Sequence, residues 1–157
     1  MINILEIFIW KKNISKIKSG GIYLERTLVL IKPDGVERKL MGKIISIYEK
    51  KGIDITSMKI IVPDRNMAES HYSEHVGRPY FEHLIETITS GRICAMVLEG
   101  ENVIELVRKI NGDKDPIKAD LSSIRGKYTI DKTKNLVHAS DSLSNAEREI
   151  GIWFPEL

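Results

Sequence analysis

The sequence predicts an α+β fold: a four-stranded antiparallel sheet in the ferredoxin-like βαββαβ order, with helices covering it. Three observations predict it. Short apolar runs at residues 27–31 and 93–98 and the mixed stretch at 53–62 have strand length, and amphipathic stretches of helical period separate them. The chain of 157 residues is 42% apolar and 29% charged, which suits one domain with a real core. After residue 25 there is no internal repeat and no linker.

Each element follows from local chemistry. Residues 27–31 (Thr-Leu-Val-Leu-Ile) are β-branched and apolar, a buried strand. Lys32-Pro33-Asp34-Gly35 stops it, because proline presets φ and glycine accepts positive φ. Residues 42–51 place Ile44, Ile45, Ile47 and Tyr48 on one helical face, and Gly52 ends the helix. Residues 53–62 form the second strand, stopped by Pro63-Asp64. Residues 66–75 form a short helix capped by Asp64 or Asn66. After the break at Gly77-Arg78-Pro79, residues 79–89 form a helix with proline in its first turn. The third strand spans 93–98. The helix at 102–110 has Asn102 as its cap.

Residues 112–134 have no sustained period and read as one long loop, a common home for function. Leu136-Val137 forms a short fourth strand. Ser144-Asn145-Ala146-Glu147 fits a capping box and opens the last helix.

Residues 1–24 read as an N-terminal extension to a domain at 25–157. They hold four lysines and one acid, so they carry the mild basicity of a chain whose net charge is +2. No basic residue precedes the apolar run at 2–10, as a signal peptide requires. Its longest uninterrupted stretch falls far below the ~20 residues of a membrane span. The segment reads as an added strand or short helix, as a poorly ordered leader, or as a sequence absent from the native protein. In the last case Ser19-Gly20-Gly21 would be a translated ribosome-binding sequence and Leu24 the start.

The charge balance excludes a generally basic nucleic-acid coat protein. Only 6% of residues are aromatic and there is no RNP-like run, so nucleic-acid binding is not expected. The single cysteine, Cys94, excludes a disulfide framework and reads as a small buried hydrophobe. It is compatible with a reducing cytosol, and a cytoplasmic location is expected. No P-loop, dinucleotide fingerprint or Gly-x-Ser-x-Gly elbow occurs. His71 and His75 share a helical face at i, i+4; without a third ligand they read as surface histidines.

His138 ends an apolar run just before a helix, a position where sites commonly lie. An imidazole side chain titrates at about pH 6.5 and so can act as a neutral nucleophile at pH 7. Glu149 follows on the last helix and can return to orient the ring. Spacing alone favours a structural histidine near a cap. Lys32, Arg108, Lys114 and Arg125 are individually solvated charges; if they converged on one histidine they would make a phosphate site. In Ile124-Arg125-Gly126, the glycine leaves room for a ligand.

These pieces together resemble the nucleoside diphosphate kinase family. Residues 135–142 (NLVHASDS) resemble the segment around its active histidine. Glu25-Arg26-Thr27-Leu28 with Lys32-Pro33-Asp34-Gly35-Val36, then His71-Tyr72, Gly77-Arg78-Pro79-Tyr80-Phe81, Ser90-Gly91, Ile124-Arg125-Gly126 and residues 149–154 (EIGIWF) follow in family order. The resemblance covers about residues 25–157.

It implies a ping-pong transfer of the γ-phosphate of a nucleoside triphosphate to a nucleoside diphosphate, through a phosphohistidine and with broad base specificity. By match, His138 is the nucleophile, Glu149 orients it and Ser140 supports Glu149. Lys32 and Asn135 meet the sugar hydroxyls, with Lys32 also near the transferred phosphate, and Tyr72 lies beside that phosphate. His75, Arg108 and Arg125 hold phosphates, and Phe81 stacks on the base. Mg²⁺ bridges the phosphates and is bound mainly by the nucleotide. A homo-oligomer, hexamer or tetramer built from a common dimer, is implied, with no membrane partner. Lys114 stands where the family commonly has a phosphate-binding threonine, and Lys132 where it has an apolar partner for the base. The alternative is a non-catalytic binding module that keeps the fold. Loss of His138 or Glu149 would favour it; both are present.

Overall fold

A computed structural model describes residues 16–19 and 22–157. The elements in chain order are β1 (Lys16–Ser19), β2 (Ile22–Ile31), α1 (Pro33–Glu37), α2 (Met41–Lys50), β3 (Asp54–Ile61), α3 (Arg65–His71), a 3₁₀ turn (Ser73–His75), α4 (Phe81–Thr89), β4 (Ile93–Gly100), α5 (Val103–Asn111), α6 (Ile124–Tyr128), β5 (Val137–Ala139) and α7 (Leu143–Trp153).

β2 is the centre of an antiparallel sheet. It pairs with β4 along residues 25–31, and β4 pairs with β3 on its other side. β5 and β1 share the second edge of β2, β5 opposite residues 29–31 and β1 opposite residues 22–25. The four strands β3-β4-β2-β5 are the expected ferredoxin-like sheet. β1, residues 16–19, adds a fifth strand at the edge of β2. The apolar run at 2–10 lies outside the described residues.

Helices cover both faces, because alternate residues of the central strands are apolar on both sides. Val29, Ile31, Cys94, Met96 and Leu98 pack with α2 and α5. Leu28, Leu30, Ile93, Ala95 and Val97 pack with α3, α4 and α7. Cys94 is buried, which pushes its thiol pKa up, as a small core residue requires. Among the described residues no helix is long and apolar enough to cross a membrane.

Several local expectations are corrected. Residues 66–75 are not one helix: α3 ends at His71 and a 3₁₀ turn follows. Asp64 is its cap, accepting from Met67 N. Asn102 does not cap α5 through its side chain; it sits in the left-handed region at φ 50°. The long loop at 112–134 contains α6, capped by Ser123. α7 is capped by Ser142, not Ser144: its hydroxyl accepts from Asn145 N. The Gly126 position is not open to a ligand, because a Cβ there would collide with the Asp120 carbonyl.

Candidate active site

Register places His138. On β5 it pairs with Leu30, so it shares the face of Leu30 and of α3 and α7, while Val137 and Ala139 enter the opposite core. On that face Glu149 projects from α7. His138 Nε2 lies 3.0 Å from Glu149 Oε2, and Ser140 Oγ donates to the same oxygen at 2.6 Å. Ser140 is itself fixed: its hydroxyl accepts from Leu28 N at 3.2 Å, and its N–H donates to Leu28 O at 3.1 Å.

Glu149 is 4% exposed. Burial drives its carboxyl pKa up, but the bond and charge of His138, together with Ser140, outweigh it and hold the pKa below the usual range. An ionised carboxylate only accepts, so Nε2 of His138 carries the proton. In the neutral ring Nδ1 then keeps its lone pair, the state a nucleophile needs.

His71 is not the surface histidine expected from the i, i+4 spacing. It is 3% exposed, and its ring meets that of His138 in a T-shaped contact at 4.6 Å. Burial, reinforced by the charge of His138, lowers its pKa to about 3. Trp153 Nε1 donates to its Nδ1 at 3.2 Å. Trp153 lies 82 residues away, so no local pattern announces the contact; the signal was the apolar end of 149–154. Arg148 was also missed. Its Nη1 donates to the carbonyls of Ser70 and His71, each at 3.2 Å, and its Nη2 lies 3.7 Å from Glu149 Oε1.

The cations take different roles. Lys32 is buried, and Nζ donates to Thr133 O at 3.0 Å. Burial lowers its pKa to about 8; Asp34 opposes this, while Arg125 and Lys114 add to the fall. Arg125 is a buried clamp. It donates to Asn135 O at 3.2 Å, Gly112 O at 2.6 Å and Val137 O at 2.6 Å, which fixes the backbone beside His138. Arg108 and Lys114 are exposed, and each is close enough to perturb a buried cation, Arg108 acting on Arg125 and Lys114 on Lys32. The four cations therefore form one electrostatic group. Asn135 is buried and donates through Nδ2 to Lys132 O at 2.7 Å. Leu136, beside it, holds φ at 71°, an uncommon conformation for a branched residue. The main-chain bond from Lys32 N to Leu136 O and the bond from Leu136 N to Asp34 Oδ2 hold it there.

A row of rings leads outward from His138. His71 meets Tyr72 at 4.7 Å, Tyr72 meets His75 at 5.9 Å, and His75 meets Tyr80 at 5.7 Å. Burial pushes the Tyr72 hydroxyl up to about 12. Phe81, expected to stack on a base, is half-buried and packs one side against the core cluster below α4. Its neighbour Tyr80 is the exposed ring, 48% accessible, and its hydroxyl lies 3.2 Å from His75 Nδ1. Lys132 reaches across to Asp115 at 2.8 Å. A groove of about 470 Å³ lined by Asp34, Arg38, Lys134 and residues 126–131 contains none of the expected site residues.

His71, His138 and Glu149 offer ligand atoms within 4.8 Å of one another. They do not fit a metal, because the Trp153 bond leaves the lone pair of His71 on Nδ1 and the proton on Nε2.

The family model described as nucleoside diphosphate kinase matches residues 25–157. The chain belongs to the nucleoside diphosphate kinase family. A nucleoside diphosphate kinase of Cutibacterium acnes is 54% identical over 133 residues, covering 85% of this chain and 96% of the relative. One of Methanocaldococcus jannaschii is 51% identical over 132 residues, 84% of this chain and 94% of the relative. Among solved structures, the Babesia bovis family protein has a TM-score of 0.82 at 38% identity, covering 84% of this chain and 90% of that one. A halophilic nucleoside diphosphate kinase from Halobacterium salinarum, solved in complex with CDP, has a TM-score of 0.80 at 42% identity, covering 83% and 87%. The chain is an enzyme of this family, whose activity is phosphoryl transfer between nucleotides through a phosphohistidine.

Proposed function

We propose that His138 is the residue that carries the phosphoryl group, and that its Nδ1 is the attacking atom. The observation that carries this is the His138 Nε2 to Glu149 Oε2 bond, which leaves Nδ1 as the free nitrogen. The Nδ1 lone pair forms the N–P bond to the γ-phosphorus. The bond from that phosphorus to its bridging oxygen breaks, and its electron pair leaves with the nucleoside diphosphate. The Nε2 proton stays on the ring, shared with Glu149, and Ser140 holds the carboxylate in place. A second nucleoside diphosphate reverses the steps through the same pocket.

The rest is positioning and charge neutralisation, which dominate phosphoryl transfer. Lys32, Arg108 and Lys114, with His75, face the polyphosphate, and Tyr72 lies beside the transferred group. Arg125 acts chiefly through the backbone it clamps, with two N–H groups left for phosphate. Asn135 and Lys32 meet the sugar. Phe81 offers the ring for the base, with the exposed Tyr80 beside it, and stacking on an aromatic face accounts for broad base tolerance. The cationic donor set fits a Mg²⁺ that arrives with ATP or another nucleotide and is held by its phosphates, not by a carboxylate cage. When bound, it neutralises charge on the phosphates.

Residues 25–157 serve as the catalytic domain, in the cytoplasm. The chain assembles as a homo-oligomer, hexamer or tetramer built from dimers. In support, the edge strand β3 leaves Met58 and Ile60 each 56% exposed, a surface that proteins usually cover.

Intact mass tests the reading. Mixing with ATP and Mg²⁺ should add one phosphoryl group, and GDP should remove it. His138→Ala should take none. Phosphorylation of that variant to the wild-type level would overturn the assignment.

A further inference from the structure

We propose that His71 is a positioning residue for phosphoryl transfer: Trp153 fixes its proton on Nε2, and its buried ring holds the plane of the His138 ring. The proposal rests on the reading of His138 as the phosphorylated residue.

The tautomer follows from the donor. An indole N–H has no lone pair to offer, so it can only donate. At 3.2 Å from His71 Nδ1 it requires a lone pair there, and the single proton of the neutral ring goes to Nε2. That Nε2 is buried and has no hydrogen-bond partner. An unpaired buried donor is costly and calls for an explanation.

The explanation lies in what holds His138. The bond at Nε2 is a single restraint on rotation about Cβ–Cγ. The Nδ1 lone pair stands nearly across that axis, so a small rotation turns it away from the phosphorus. His138 also sits on a strand of three residues and is partly open to solvent. The T-shaped contact with His71, at 4.6 Å and 79°, restrains that rotation. His71 is restrained in turn by Trp153 on its far nitrogen and by the Tyr72 ring at 4.7 Å. Arg148 ties the last carbonyls of α3 to the helix bearing Glu149, so the two supports of His138 move together. A lone pair turned away from the phosphorus loses rate more than affinity, because nucleotide binding does not require it.

Two measurements test this on the full chain. With ¹⁵N-histidine labelling, the wild-type His71 should show a neutral Nε2–H ring between pH 6 and pH 8. In single-turnover phosphorylation by ATP, His71→Leu fills the site without an aromatic ring, and its rate at saturating ATP should fall about tenfold or more, with half-saturation changed by less than about threefold. His71→Phe keeps a ring against His138 and should recover part of that rate. The proposal is overturned by an Nδ1–H or charged His71, by a wild-type rate in His71→Leu, by a rate in His71→Phe no better than in His71→Leu, or by equal losses of rate and affinity. It is also overturned if Zn²⁺ alone binds His71 through Nε2. If His71→Leu does not fold, the wild-type tautomer and the His71→Phe rate decide. A wild type that takes no phosphoryl group from ATP overturns the His138 reading itself, whatever tautomer His71 shows.

Discussion

The inner and outer halves of the site are built differently. Around His138 every group is buried or bonded: Glu149 is 4% exposed, Ser140 is fully buried and His71 is 3% exposed. Farther out, Arg108, Lys114 and Lys132 stand in solvent, and the bond that holds Lys132 is a surface pair with Asp115. The inner half holds one atom, Nδ1, in one direction. The outer half supplies charge without fixed geometry, which suits substrates that differ in base. On the proposed reading the covalent step depends on preorganisation, and nucleotide capture on screened electrostatics.

Removing an inner group should break the contrast most. Glu149→Ala leaves the His138 proton without its acceptor, so the rate of His138 phosphorylation should drop on the order of 10²-fold or more. Stopped-turnover kinetics at saturating ATP would show it, and a loss confined to KM would contradict it.

Next in size is acid stability. The unfolded state takes up a proton on His71 near about 6.5, while the folded state refuses it until about 3. Stability contributed by the neutral buried ring is therefore complete above about 6.5. It falls as the pH drops towards 3, by at most about 1.4 kcal/mol per pH unit. Urea titrations of wild type and His71→Gln across this window should give a shallower slope for the variant; equal slopes would exclude His71 as the cause.

Lys32 joins the two halves. Its pKa of about 8 means that its charge is present below that pH and lost above it. KM for nucleotide should rise several-fold as the pH passes 8, and Lys32→Met should abolish that rise. The smallest effect belongs to the outer half. Lys114→Ala should raise KM about two- to threefold at low salt with kcat unchanged, and added salt should erase the difference.

Much of the architecture was legible because strand and helix periods are local. Residues 27–31 and 93–98 read as strands from composition, and tertiary pairing only extended them. His138 and Glu149 were legible through their motifs. What was hidden depends on packing between distant segments. His71 read as exposed because its partner Trp153 lies far along the chain. Phe81 and Tyr80 are adjacent aromatics, and only the direction of α4 decides how far each is exposed. Arg125 read as a phosphate ligand, yet its nearest acceptors are carbonyls of segments that converge only in the fold. Ser142 and Ser144 offer the same hydroxyl to α7, and the chain's exit from β5 selects between them.

The central claim is that His138 reacts through Nδ1 while Nε2–H stays bonded to Glu149. The direct measurement is ¹⁵N–³¹P correlation on the ¹⁵N-histidine-labelled enzyme after reaction with ATP and Mg²⁺. Coupling of phosphorus to Nδ1 of His138, with the proton retained on Nε2, is the predicted result. Phosphorus on Nε2, or on any other residue, would contradict it.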